Sequence, residues 1–320
     1  MENPKQLKMK IFLIKRIVSL LLVLIGITML CFFLLSLSPI DAADAYIHKH
    51  MMWPTEETVK KIQEELGLNQ PLYKRYIDWL KNAVTLNFGN SFVTGKPIVE
   101  EITICFKRTL NIVFGTVFIM LLVSIPLGIL SATYKNKRID SIIRVISLMG
   151  MSMPSYWVGF MLIYLFSIKL NVLPFIFKDH FNCYVLPSIT LSIPFFATYT
   201  RMVRTNILNQ LEEDFVIYSR ARGIPFYKIM MKHILKSSSV SLIALLGQNI
   251  GNILVGTAII ETVFSIKGLG RYGIDAIFSR DHPAINAYVI IIAFSFSLVN
   301  IVADLIAMKI DKRVGENSLL

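Results

Sequence analysis

Apolar residues in this chain gather into six long runs separated by polar stretches. They cover about residues 17–37, 109–133, 142–168, 184–200, 240–264 and 284–308. Roughly 20 apolar residues in a helix span the ~30 Å hydrocarbon core of a bilayer. The pattern therefore predicts an all-α integral membrane protein with six transmembrane helices. The first run could be taken for a secretory signal, but it is too long and no small-residue cleavage site follows Leu37. It is read as a helix that stays. The fourth run holds Pro187 and Pro194.

The long stretch between the first two runs carries two amphipathic patterns. Over residues 54–67, Thr55 stands at an N-cap position, Glu56 and Glu57 follow in the first turn, and Gly67 sits where a C′ glycine belongs. Over 70–86, Leu72, Tyr76, Trp79, Leu80 and Ala83 share one helical face. Both are expected to pack on the outer face of the bundle.

Composition agrees with the runs. Apolar residues make up 54% of the 320, charged residues 17%, and mean hydropathy is +0.60. Soluble domains are less apolar and more charged. The net charge of +12 would suggest nucleic acid in a soluble protein. In a membrane protein it points to Lys and Arg held in cytoplasmic loops. Basic residues cluster at Lys5, Lys8, Lys10, Lys15 and Arg16, at Lys135, Lys137 and Arg138, across Arg201 to Lys236, and at Lys309, Lys312 and Arg313. With six spans these segments share one side, so both termini are expected in the cytoplasm. Residues 38–108, on the other side, balance nine basic against nine acidic residues. The cysteines, Cys31, Cys105 and Cys183, are odd in number and widely spaced, which implies neither a disulfide framework nor a zinc site.

No HExxH, GxSxG or EF-hand pattern occurs. The stretch from Gly89 to Pro97 approaches a phosphate loop. Its spacing is one residue too long, and Pro97 replaces the Ser or Thr that would hold magnesium. His48, His50, Met51 and Met52 lie close together in the outer stretch and are the candidate metal ligands, because His and Met suit borderline or soft metals. A polar loop entering a helix is the favoured reading of them, since no fixed ligand spacing is met.

The fifth run is unusual in carrying amides. Gln248 and Asn252 are four apart and share a helical face, with Asn249 beside them; Gly247 and Gly251 form a parallel pair. Amides facing lipid are costly, so this face should border other helices or a water-filled path. Interhelical hydrogen bonding with close glycine packing is the other reading. Asn300 and Asp304 form a similar pair, read as structural.

Residues 206–239 are too apolar for a solvated loop. Two helical stretches meet at Arg220-Ala221-Arg222-Gly223, followed by Ile224 and Pro225. The segment should dock onto another protein. It resembles the cytoplasmic coupling motif of ATP-binding cassette (ABC) importer permeases, where a small-residue helix leads through a glycine into an apolar helix. Gly223 matches the motif glycine and Ala221 a small position before it. Ile217, Tyr218 and Ser219 replace the usual Glu-Ala-Ala, and Lys236 stands where many members have proline. The peptide and nickel permease family tolerates these departures. Further resemblances to it are Leu66 to Leu72 with Tyr76, Leu86 to Ser91, Ser152-Met153-Pro154 with Trp157, Glu261 to Ser265, Gly268 to Tyr272 and Arg280 to Pro283. Ile266-Lys267 replaces the commoner Trp-Pro.

The resemblance implies a type I ABC importer permease fold. Residues 1–108 would hold the N-terminus, the first span and an extracytoplasmic helical segment. Residues 109–320 would hold a five-helix core with the coupling segment 206–239. It implies ATPase coupling through Ser219, Arg220, Ala221, Arg222, Gly223, Ile224 and Pro225. The implied partners are a second homologous permease subunit, two ABC ATPase subunits, an extracytoplasmic solute-binding protein and the lipid bilayer, with no nucleic acid. No cofactor is expected on this chain; ATP and magnesium belong to the ATPases. The short 169–183 connection, Ile259 to Glu261 and Ala276 to Asp281 resemble the nickel branch. Nickel, free or chelated, is the expected solute, with di- and oligopeptides the alternative. A channel or receptor unrelated to ABC systems would need no ATPase, and the coupling segment argues against it.

Overall fold

The computed structural model describes residues 4–37, 46–47, 53, 55–65 and 69–310. Their regular structure is helical: α1 (Pro4–Ser36), α2 (Glu56–Glu65), α3 (Leu72–Val84), α4 (Ile98–Thr133), α5 (Arg138–Ser152), α6 (Ser155–Leu162), α7 (Asn182–Leu211), α8 (Asp214–Ala221), α9 (Phe226–Ile229), α10 (Leu235–Val263), α11 (Leu269–Phe278) and α12 (His282–Ile310). Two π-helical stretches, Ile163–Lys169 and Met230–Ile234, follow α6 and α9. The helices gather into two compact units. One comprises the described residues of 1–108 and 267–298, the other those of 109–266 and 299–320.

In the first unit the expected amphipathic helices form. Thr55 caps α2, accepting the Thr58 N–H on Oγ1 at 3.2 Å; Gly67 lies outside the described residues. The apolar face of α3 lies on α1, where Thr28 and Tyr76 share a hydroxyl hydrogen bond at 3.0 Å. The Phe32 ring sits 5.6 Å from Tyr76 and 6.1 Å from Trp79. The stretch that approaches a phosphate loop is a tight turn with a single bridge, Asn90 to Pro97. Gly89 and Gly95 take positive φ of 77° and 70°. Its amides already serve an anion, the buried Asp281 at the start of α12. Asp281 accepts Ser91 Oγ at 2.5 Å, Phe92 N–H at 3.2 Å and Val93 N–H at 3.4 Å. An internal carboxylate thus occupies the donors that a phosphate would need.

The second unit is built around α7, which packs against α5, α6 and α10. Because neighbours cover it, α7 tolerates the polar Ser188, Thr190, Ser192 and Thr200, all buried. For the same reason it falls short on hydropathy. Among the described residues, four helices are long and apolar enough to cross a membrane, within Lys10–Ser36, Ile98–Thr133, Ser241–Val263 and His282–Ile306. A fifth is possible if α5 and the α6 segment count together. The expected span at 184–200 lies inside α7. The expected span at 142–168 is not one straight helix, for it bends by 102° after Ser152. Pro154 is the cause: a residue before proline is driven out of the helical region, and Met153 sits at φ −81°, ψ 131°.

Candidate functional site

The segment after α7 folds as two short helices joined by a capped turn. Helix α8 ends in a Schellman motif. The Gly223 N–H donates to the Arg220 carbonyl at 2.9 Å, and the Ile224 N–H donates to the Ser219 carbonyl at 3.1 Å. Gly223 has φ +72°, a backbone conformation natural to glycine. Pro225 then fixes the entry to α9, and its carbonyl accepts the Lys228 N–H at 2.9 Å. Ser219 Oγ turns inward to the Phe215 carbonyl at 2.7 Å. The Arg220 guanidinium lies over the Phe226 ring at 5.4 Å, bracing the two helices across the turn.

Each short helix is anchored by one wholly buried side chain, Val216 on α8 and Ile229 on α9. These join Met120 of α4 and Tyr199, Val203 and Ile207 of α7 in a single core. The opposite face is open. Tyr218 is 71% exposed and Tyr227 and Met231 are each 64% exposed, with Ala221, Arg222, Lys228 and Lys232 exposed around them. An uncovered aromatic and apolar patch with a basic rim has the composition of a protein-binding surface.

The amides of α10 divide. Gln248 and Asn252 are exposed and share a face with the exposed Ala244, Val255 and Ile259. Asn249 is half-buried and donates Nδ2 to the Leu245 carbonyl at 3.0 Å; Asn252 donates to Asn249 Oδ1 at 3.4 Å. Gln248 and Asn252 are therefore the outward amides of α10, and Asn249 turns in. The glycine pair is partly explained by packing: a Cβ on Gly247 would lie 2.7 Å from the Ala303 Cβ.

The candidate metal ligands His48, His50, Met51 and Met52 lie outside the described residues. Among the described residues no group of three or more His, Cys, Asp or Glu is placed to hold a metal. Cys31, Cys105 and Cys183 form no disulfide. Sequence reasoning named Glu261 without a partner and passed over Asp140, and both are buried carboxylates of the second unit. Glu261 accepts Thr109 Oγ1 at 2.6 Å. Asp140 accepts Arg204 through Nε and Nη2, both at 2.8 Å. The available signal was an acidic residue within or beside an apolar run, which finds its partner only through folding.

Residues 124–316 match the family described as binding-protein-dependent transport system inner membrane component, and residues 9–113 match its N-terminal membrane component. The chain belongs to this family. It is 31% identical to the probable D,D-dipeptide transport system permease protein DdpB of Escherichia coli, over 93% of this chain and 95% of that protein. Two Staphylococcus aureus proteins are each 33% identical. The metal-staphylopine import system permease protein CntB matches over 96% of this chain and 99% of its own length. The nickel import system permease protein NikB matches over 93% and 90%. The structure of the MetNI methionine ABC transporter in inward-facing conformations contains a chain that matches 66% of this one and 96% of itself. That match has a TM-score of 0.57 at 16% identity and shows the shared fold. Family membership makes this chain an ABC importer permease subunit, a multi-pass membrane component that is not itself an enzyme. Such permeases work with ATPase and substrate-binding partners, and the ATP is used by the ATPases.

Proposed function

We propose that this permease forms one half of the path of an ATP-driven importer for nickel, free or chelated, paired with a second homologous permease. The observation that carries the mechanism is the Gly223 turn with its uncovered face of Tyr218, Tyr227 and Met231. This loop, residues 219–225 within 206–239, inserts into a groove on an ATPase subunit. Two such subunits, holding ATP and magnesium, close and open. An extracytoplasmic binding protein delivers the solute. The ATPases drive alternating access by binding the inward- and outward-facing states with different affinity.

The proposed topology has six spans, counting α7 and the bent α5–α6 pair. Both termini and Gly223 are cytoplasmic, and α2 and α3 are extracytoplasmic. Residues 1–108 form an N-terminal module and 109–320 the transmembrane core. The outward amides Gln248 and Asn252, with Asn249 behind them, border the solute path. A polar pair on an otherwise apolar exposed helix face supports that placement.

The nickel reading draws on the resemblance of 259–261 and 276–281 to the nickel branch and on the similarity to NikB and CntB. Similarity to DdpB favours di- or oligopeptides as the second reading. Reconstitution of the permease pair with its ATPases and binding protein in liposomes tests both. ATP-dependent accumulation of nickel, with none of a dipeptide mixture, is the expected result. Accumulation of dipeptides alone would replace nickel with peptide as the solute.

A further inference from the structure

Asp140, near the start of α5, is a carboxylate held by donors from α4, the following turn and α7. It is fully buried. It accepts Ser131 Oγ at 2.5 Å from the last turn of α4 and the Asn136 N–H at 3.0 Å from the turn that follows. Arg204 of α7 grips it with two nitrogens at 2.8 Å, and Arg144 Nε stands at 3.6 Å. A carboxylate offers about four acceptor sites, and here donors fill them from three directions. Paired donors from one guanidinium also fix orientation, which a lone ammonium cannot do.

The position of Arg204 gives the cluster its meaning. Arg204 sits between Val203 and Ile207, both wholly buried in the core that also anchors Val216 and Ile229 of the short helices. Helix α7 continues to Leu211, and α8 begins at Asp214. The end of α7 is thus held to α4 and α5 through Asp140 and carries the Gly223 turn just beyond. Close packing supports the same join, since a Cβ on Gly128 of α4 would lie 2.5 Å from Val203 of α7.

We propose that Asp140 is a positioning residue for energy coupling: its two-pronged pair with Arg204 makes the cytoplasmic ends of α4, α5 and α7 move as one body with the Gly223 turn. The inference rests on the coupling role proposed above for that turn. Without the clasp, the turn would still follow the ATPase, but α7 would shift against α4 and α5, and hydrolysis would proceed without moving the path.

The test uses the complete importer in liposomes, with ATP hydrolysis and uptake measured in the same vesicles per assembled complex. The solute is nickel or a dipeptide mixture, whichever the unaltered complex accumulates. Asp140→Asn leaves the Arg204 charge unpaired, which is costly in a buried site, so Asp140→Asn with Arg204→Gln, which removes both charges, is the second variant. Expected is hydrolysis close to that of the unaltered complex, with solute moved per ATP lowered on the order of tenfold. Asp140→Glu, which keeps the charge, should recover part of the ratio. A purely structural role predicts that hydrolysis and uptake fall together with an unchanged ratio, and that result in the double variant overturns the proposal. A reading independent of solute is the spin-label distance between Val145 on α5 and Ile217 on α8. It should be narrowly distributed in the unaltered complex and broaden in the double variant; an unchanged distribution also overturns the proposal. If Gly223→Val leaves ATPase association and uptake intact, the coupling reading itself falls. If that variant uncouples while the double variant keeps its ratio, only the clasp is wrong.

Discussion

Replacing Gly223 with Val should weaken the ATPase interaction through the backbone alone. Gly223 holds φ +72°, and a Cβ built there meets no atom within 4 Å. No clash within this chain adds to the cost. What remains is the left-handed conformation, which costs an L-residue roughly 1–2 kcal/mol, more when it is β-branched. The chain can avoid this strain only by flipping φ. It then loses the paired bonds from Gly223 to Arg220 and from Ile224 to Ser219, each worth about 0.5–1.5 kcal/mol net. Either route disfavours the native turn by about 1–3 kcal/mol, and even 1–2 kcal/mol is roughly a 5–30-fold drop in its population. The membrane runs are untouched, so the protein should still insert. Co-purification of the ATPase and uptake in vesicles should fall in the order Asn, Ala, Val at position 223, because Asn tolerates positive φ best of the three. A Val variant with normal association and uptake would refute the coupling role. An Asn variant as damaged as Val would refute the backbone argument and point to side-chain volume at the partner surface.

Other outcomes follow from the same geometry. Gln248→Leu combined with Asn252→Leu should lower uptake while the complex still assembles, because both amides face outward; unchanged uptake on flow-through vesicle assays would leave them no part in the path. In a cysteine-free background, impermeant thiol reagent applied to intact cells should label Lys96→Cys and spare Arg222→Cys. The reverse pattern would invert the topology. Asp281→Asn should loosen the 89–97 turn by about 1–3 kcal/mol, since the Ser91, Phe92 and Val93 donors lose their charged acceptor. Faster protease cleavage within 89–97 is the expected readout, and an unchanged rate would show that the turn holds without that charge.

Much of the architecture was legible because a bilayer imposes simple rules. Long apolar runs had to be helices, and Tyr76 and Trp79 at helical spacing had to pack on an apolar surface, which is α1. The Gly223 turn was legible for a local reason: a glycine followed by Ile-Pro after a short helix is a stop signal whose bonds run between near neighbours. The α5–α6 bend was also written locally, in Met153-Pro154, but the apolar run over 142–168 concealed it. Hydropathy measures transfer into lipid and is blind to a helix that turns within it.

Local sequence therefore determined which segments are helical, where the Gly223 turn falls and which helix bears the amides. Tertiary structure decided which polar groups meet. Asp140 and Arg204 stand 64 positions apart and Ser91 and Asp281 stand 190 apart. No periodicity encodes such pairs, because their partners are chosen by packing and by the cost of leaving a buried charge alone. Packing also decided that α7 is the covered helix of its unit. A helix shielded by its neighbours can keep its serines and threonines, and this is why the one expected span that hydropathy could not support is the one at the centre.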